Sequence, residues 1–112
     1  MSTELATVQF LTDQMAEAGV ITSRKMFGEY GVYCDSKIVA LVCDDQLFVK
    51  PTQAGRNFLK NVSEKPPYPG AKPYLWISGE YWDDADWLSE LIRVSAAELP
   101  LPKPKKKKNT KA

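Results

Sequence analysis

Apolar and polar positions run along this chain with two different periods. Leu5, Val8, Leu11, Met15 and Ala18 recur at spacings of three and four, with Glu4, Asp13 and Glu17 off that stripe. This is the pattern of one apolar helical face. It predicts a helix over 3–18, capped by Ser2 or Thr3 and ended by Gly19. Four short β-rich runs follow: Arg24–Phe27, Gly31–Asp35, Lys37–Cys43 and Gln46–Lys50. Asp35-Ser36 and Asp44-Asp45 supply turns, because short polar side chains can bond their own backbone. Ile38-Val39-Ala40-Leu41-Val42 is apolar at every position. A strand with one wet face would alternate, so this run predicts a central strand covered on both faces. Pro51 stops the ladder after Lys50.

Thr52 fits the N-cap of a short helix reaching about Asn61, with Ala54, Phe58 and Leu59 on its buried side. Gly55 lies inside it, at a cost of ~1 kcal/mol relative to alanine. Glu64–Pro73 reads as a proline-rich loop, extended or turned. Tyr74–Ile77 is a fifth strand. Asp83 or Asp84 caps a last helix that carries Trp87, Leu88, Leu91, Ile92 and Leu99 until Pro100 and Pro102 end it. The order α-β-β-β-β-α-β-α predicts an α+β, two-layer domain: an antiparallel sheet of about five strands with helices on one face.

At 112 residues the chain has room for one domain and a modest core. The formal net charge of +1 conceals an asymmetry. Lys103, Lys105, Lys106, Lys107, Lys108 and Lys111 sit in the last ten residues, which hold no acid. Residues 1–102 then hold nine basic and fourteen acidic residues, a net −5. We therefore expect a folded body over 1–102 and a basic, disordered tail over 103–112. No long apolar run predicts a membrane span, and Met1–Thr7 has no signal-peptide pattern. Cys34 and Cys43 do not make a disulfide framework. They read as reduced, buried thiols of a cytoplasmic protein.

Candidate chemistry is sparse. Histidine is absent, which removes the commonest general base near neutral pH and the commonest metal ligand. Two cysteines nine apart, with no partner, do not form a zinc site. No phosphate-binding loop, dinucleotide fingerprint or nucleophile elbow occurs. The acidic cluster Asp83, Asp84 and Asp86 reads first as helix capping and only second as a divalent-ion site. Trp76, Trp82 and Trp87 read as sheet–helix packing rather than as a cage. These residues predict neither an enzyme nor a cofactor.

The most informative block is Arg24-Lys25-Met26-Phe27-Gly28-Glu29-Tyr30-Gly31-Val32-Tyr33. Its glycines permit a tight turn or bulge, and its aromatics form a shaped hairpin surface, with Phe27 and Tyr33 expected in the core. The block resembles the opening signature of the TfoX N-terminal-domain family. The likeness continues through Ile38–Val42 and Leu47–Lys50 and is picked up again at Pro66-Pro67-Tyr68-Pro69-Gly70 and Tyr74-Leu75. It covers roughly residues 4–99. The family is named for bacterial regulators of natural competence, also called Sxy, which are thought to help the catabolite-activator protein at a subset of promoters. The resemblance implies a secretion-chaperone-like α+β fold, and no catalytic residue or cofactor. The full regulators carry a second, helical domain, whereas prolines and lysines follow Leu99 here. The resemblance thus implies a stand-alone N-terminal domain.

Three functional readings follow. The first is a non-enzymatic protein-interaction module, a transcriptional accessory factor in kind, with an unidentified protein partner. Its surface is expected at Arg24, Lys25, Glu29, Tyr30, Tyr68 and Lys72, because exposed aromatics and arginine dominate binding hot spots. The second is weak, sequence-blind nucleic-acid binding by the lysine tail, driven by counterion release. The third is a small-ligand protein or enzyme using a pocket between the sheet and the proline-rich loop, near Tyr68, Lys72, Tyr74 and Trp76.

Overall fold

The structure, a computed structural model, describes residues 3–26, 29–61 and 63–100. The elements in chain order are α1 (Leu5–Gln14), β1 (Ile21–Met26), β2 (Glu29–Cys34), β3 (Lys37–Cys43), β4 (Gln46–Val49), α2 (Gln53–Leu59), β5 (Ser63–Lys65), β6 (Tyr74–Ile77) and α3 (Ala85–Glu98). Short 3-10 turns at Ala16–Ala18 and Gly79–Tyr81 precede β1 and α3. Among the described residues six strands form one antiparallel sheet in the order β1-β2-β3-β4-β6-β5. The α+β class and the helix-covered face agree with the sequence expectation. The strand count is one higher, because β5 falls in the stretch read as loop.

The two faces of the sheet follow from register. Val42 pairs with Leu47 and Leu47 with Ile77, while Ala40 pairs with Val49 and Val49 with Leu75. These rungs face the helices and are buried together with Val8, Leu11, Met15, Leu88, Leu91 and Ile92. Each such side chain contributes about 1.5–3 kcal/mol by leaving water. A register shift between Val32 and Tyr33 leaves Val39 as an extra residue on β3. The bulge lets Val39 and Ala40, neighbours in sequence, both enter the core at 0% exposure. That accounts for the unbroken apolar run of this central strand.

Both predicted turns are tight hairpins. Asp35, Ser36, Asp44 and Asp45 all have positive φ, between 50° and 73°. Paired left-handed residues match the twist of the flanking strands. Asp84 caps α3 by accepting from Trp87 N at 3.1 Å, and Thr52 caps α2 by accepting from Gly55 N at 2.9 Å.

Four expectations need correction. The first helix runs over Leu5–Gln14 and gives way to a 3-10 turn, because the chain tightens before Gly19. Thr3 does not cap it. Asp45, from the β3–β4 turn, accepts from Glu4 N at 2.9 Å and from the Thr7 hydroxyl at 3.0 Å. The second helix ends at Leu59, where Lys60 turns to φ 67°. Tyr33 is not in the core: it pairs with Ile38 on the face away from the helices, half-buried, with the Arg24 guanidinium 5.9 Å from its ring. Phe27, Gly28, Ser2 and the lysine tail lie outside the described residues.

Candidate functional site

The sheet face opposite the helices is built from the other set of rungs. Gly31 pairs with Leu41, Leu41 with Phe48 and Phe48 with Trp76. Cys43 follows Leu41 on the same face and pairs with Gln46. The Met26 methyl occupies the space that a Cβ on Gly31 would need, with Ile38 and Tyr33 beside it. Glycine at 31 therefore lets Met26 lie down on the sheet. The proline-rich loop returns to this side. Pro67 is buried, Phe48 is only 3% exposed, and Tyr68 projects at 56% exposure.

Between loop and sheet lies an open groove of about 520 Å³, lined by Met26, Glu29, Tyr30, Leu41, Cys43 and Tyr68. Its walls are mainly apolar, and Glu29 brings the one carboxylate. That carboxylate is held from behind. Its Oε1 accepts from the Thr3 hydroxyl and from Asp44 N, the latter at 3.1 Å. Thr3 is itself 8% exposed, with Val42 O as a second acceptor 3.1 Å away, and it accepts from Asp45 N at 3.3 Å. The hydrogen bonds described leave Oε2 of Glu29 unengaged, and the ion pairs among the described residues, Arg56–Glu64 and Arg93–Glu90, do not include it.

The electrostatics of the groove register in its thiol. Burial pushes Cys43 up to about 11, with the charges of Glu29 and Asp44 adding to the effect. The groove is thus apolar and negatively polarised. Tyr74, on the neighbouring β6, is also pushed up, by burial first and then by Tyr68 and Cys43. At neutral pH Cys43 is a protonated thiol rather than a nucleophile. Cys34 lies on the helix side of the sheet, buried, 3.6 Å from Ala18 O, and is raised by burial and then by Asp35.

Of the six residues expected to form an interaction surface, Glu29, Tyr30 and Tyr68 line this groove. Tyr30 is half-buried, and its ring also packs against the core. Arg24 and Lys25 are exposed on β1, one of the two edge strands, and Lys72 is exposed on the loop. Met26, Leu41 and Cys43 were not among the expected surface residues. The phase of Leu41 and Cys43 within Lys37–Cys43 was the available signal, but an apolar run does not say which phase faces the helices. Thr3 and Asp44, which orient Glu29, carry no local signal.

The three tryptophans do not converge. Trp76 donates to Gln46 Oε1 at 2.9 Å and lies under Lys65 Nζ, 4.0 Å from its ring centroid. Trp82 donates to Ile77 O at 3.1 Å, and Trp87 stacks on Tyr81 at 4.7 Å. A second cleft of about 420 Å³ lies beside Trp76, Tyr81 and Trp87. Among the described residues no group of three or more His, Cys, Asp or Glu side chains could hold a metal ion. Among the same residues no helix is long and apolar enough to cross a membrane.

The TfoX N-terminal domain family matches residues 13–99, a stretch that holds every strand and all of α2 and α3. The chain belongs to the TfoX N-terminal domain family. An uncharacterised 12.7 kDa protein from the trpE 5′ region of Spirochaeta aurantia is 42% identical over 108 residues, covering 96% of this chain and 93% of that protein. In this TfoX N-terminal domain the matched stretch contains all six groove-lining residues. It leaves out Thr3, which sets the Glu29 carboxylate from before the match begins.

Proposed function

We propose that this TfoX N-terminal domain is a non-enzymatic protein-interaction module, a transcriptional accessory factor in kind, that binds its partner through the sheet face opposite the helices. One observation carries the reading: an open, mainly apolar groove rimmed by an exposed tyrosine. Tyrosine at a pocket rim is a residue type enriched in binding hot spots. The family's competence regulators support the accessory-factor class.

The test is affinity capture from nuclease-treated host lysate with the full chain and with its Tyr68→Asp variant. Tyr68 is exposed enough for the substitution to leave the fold intact, which an unchanged melting temperature verifies. The reading expects a protein retained by the parent chain and lost by the variant. Identical partners on both would remove the groove from the interface.

A further inference from the structure

The geometry points to a partner that inserts an arginine or lysine side chain into the groove, its aliphatic stem on Met26 and Leu41 and its cation against Glu29 and the Tyr68 ring. This rests on the reading that the groove is the interaction surface, and it names the chemistry that the surface selects.

Three features combine. First, Glu29 is a prepositioned carboxylate. Thr3 and Asp44 N hold one oxygen, and Oε2 has no hydrogen-bond partner among the described residues. A carboxylate fixed before binding loses little freedom when a cation arrives. Second, the walls are apolar. Met26, Leu41 and Cys43 would exclude water from the stem of a long side chain, the part of lysine and arginine that packs on hydrophobic surface. In that drier setting a charge-assisted hydrogen bond is stronger than one in open water. Third, Tyr68 lines the groove and is exposed, and a guanidinium or ammonium that meets a tyrosine ring gains from its quadrupole. The Cys43 thiol at the groove wall is raised first by burial, with the charges of Glu29 and Asp44 adding to it.

The sign of the field argues against an acidic occupant. An acidic segment entering the groove would meet the Glu29 carboxylate, while Arg24, a cation on this face, sits over the Tyr33 ring and not among the lining residues. Long-range charge does not decide against a second copy, at net +1 with its lysine tail, and the concentration dependence below distinguishes it.

The experiment is an amide NMR titration of the isotope-labelled full chain with two probe peptides. One is acetyl-Leu-Arg-Leu-amide, and the other carries citrulline, the neutral isostere, in place of arginine. The arginine peptide is expected to shift the amides of Met26, Glu29, Leu41, Cys43 and Tyr68 in a saturable way. The citrulline peptide is expected to bind about tenfold more weakly. Glu29→Gln should erase that difference while leaving the spectrum otherwise folded. Equal binding of both peptides in the groove would overturn the cation requirement and leave the interaction surface standing. Arginine-peptide shifts elsewhere, or none at millimolar peptide, would overturn the proposal. So would groove shifts that grow with protein concentration alone, which would assign the groove to a second copy. The capture experiment with Tyr68→Asp fails separately, since it asks only whether any partner uses this face.

Discussion

The Thr3 hydroxyl donates to the Glu29 carboxylate across a sequence separation of 26 residues. The contact joins the segment preceding α1 to the start of β2. It also fixes the charged member of a groove that is otherwise apolar. Thr3 is buried at 8% exposure, so its hydroxyl must be satisfied within the protein.

Thr3→Val keeps the shape and removes that donor. Glu29 Oε1 then keeps only Asp44 N, and Asp45 N loses its acceptor. We expect a loss of about 1–2 kcal/mol in urea unfolding. We also expect weaker binding of the arginine probe, with less effect on the citrulline probe. Unchanged stability together with unchanged selectivity would show that Asp44 N alone positions the carboxylate.

Gly55 inverts the ordinary helix argument. A Cβ there would lie 2.9 Å from Thr52 Oγ1, 3.0 Å from Ser95 Oγ and 3.1 Å from Leu75 Cδ1. Alanine would gain ~1 kcal/mol in helix propensity. Crowding in a packed core costs about 1–3 kcal/mol, and the Thr52 cap would be pushed aside as well. Gly55→Ala is therefore expected to lower the melting temperature, where propensity alone predicts a rise.

Ser95 supplies a companion to that measurement. Its hydroxyl is buried at 0% exposure with no hydrogen-bond partner among the described residues. Removing an unpaired buried hydroxyl recovers its desolvation cost, about 1–3 kcal/mol. Ser95→Ala is expected to be neutral or stabilising. It should also recover part of the Gly55→Ala loss, because the Oγ is one of the three crowding atoms. A strictly additive double mutant in chemical denaturation would show that Ser95 does not take part in the clash.

The outline of the fold was legible because most of its elements advertise themselves locally. The bounds of β3 and β6, the cap at Thr52 and both Asp-containing turns follow from the residues within them. β5 did not, because Ser63-Glu64-Lys65 is exposed throughout and is a strand only by pairing with β6. The start of α1 was misread for a related reason: no side chain caps it, and the carboxylate that holds Glu4 N arrives from Asp45, 41 residues away. The groove was half legible. Tyr68, Tyr30 and Glu29 stand out by type, whereas Leu41 and Cys43 sit in a run whose two phases are equally apolar. Only the bulge at Val39 and the long-range register decide which phase faces the loop.

The lysine tail yields a prediction independent of the groove. Duplex DNA should bind the full chain weakly and without sequence preference. The slope of log affinity against log salt should be no steeper than about −5, the limit for six lysines. A chain ending at Pro102 should lose this binding, because residues 1–102 carry a net −5. Equal affinity with and without the tail would move any DNA contact to the body.

The alkaline stability of the domain should depend on Cys43. Its folded-state pKa is raised to about 11, from about 9 for an unperturbed thiol. Below the unfolded value both states are protonated, and the thiol's contribution is fully present. As pH rises from about 9 to 11, the unfolded chain releases the proton first, so the native state holds more protons and stability falls. The loss from this one group is on the order of 3 kcal/mol, complete once pH passes the folded value. Tyr74 and Cys34 are shifted in the same direction by burial and steepen the decline. Cys43→Ala removes one of these groups. At neutral pH it should cost stability, because a buried side chain is truncated. Between about pH 9 and 11 its stability should then fall less steeply than that of the parent. Denaturant unfolding at closely spaced pH values measures both slopes. Parallel curves for the two proteins would mean that Cys43 ionises as readily in the fold as in water, and that the groove wall is wetter than its burial indicates.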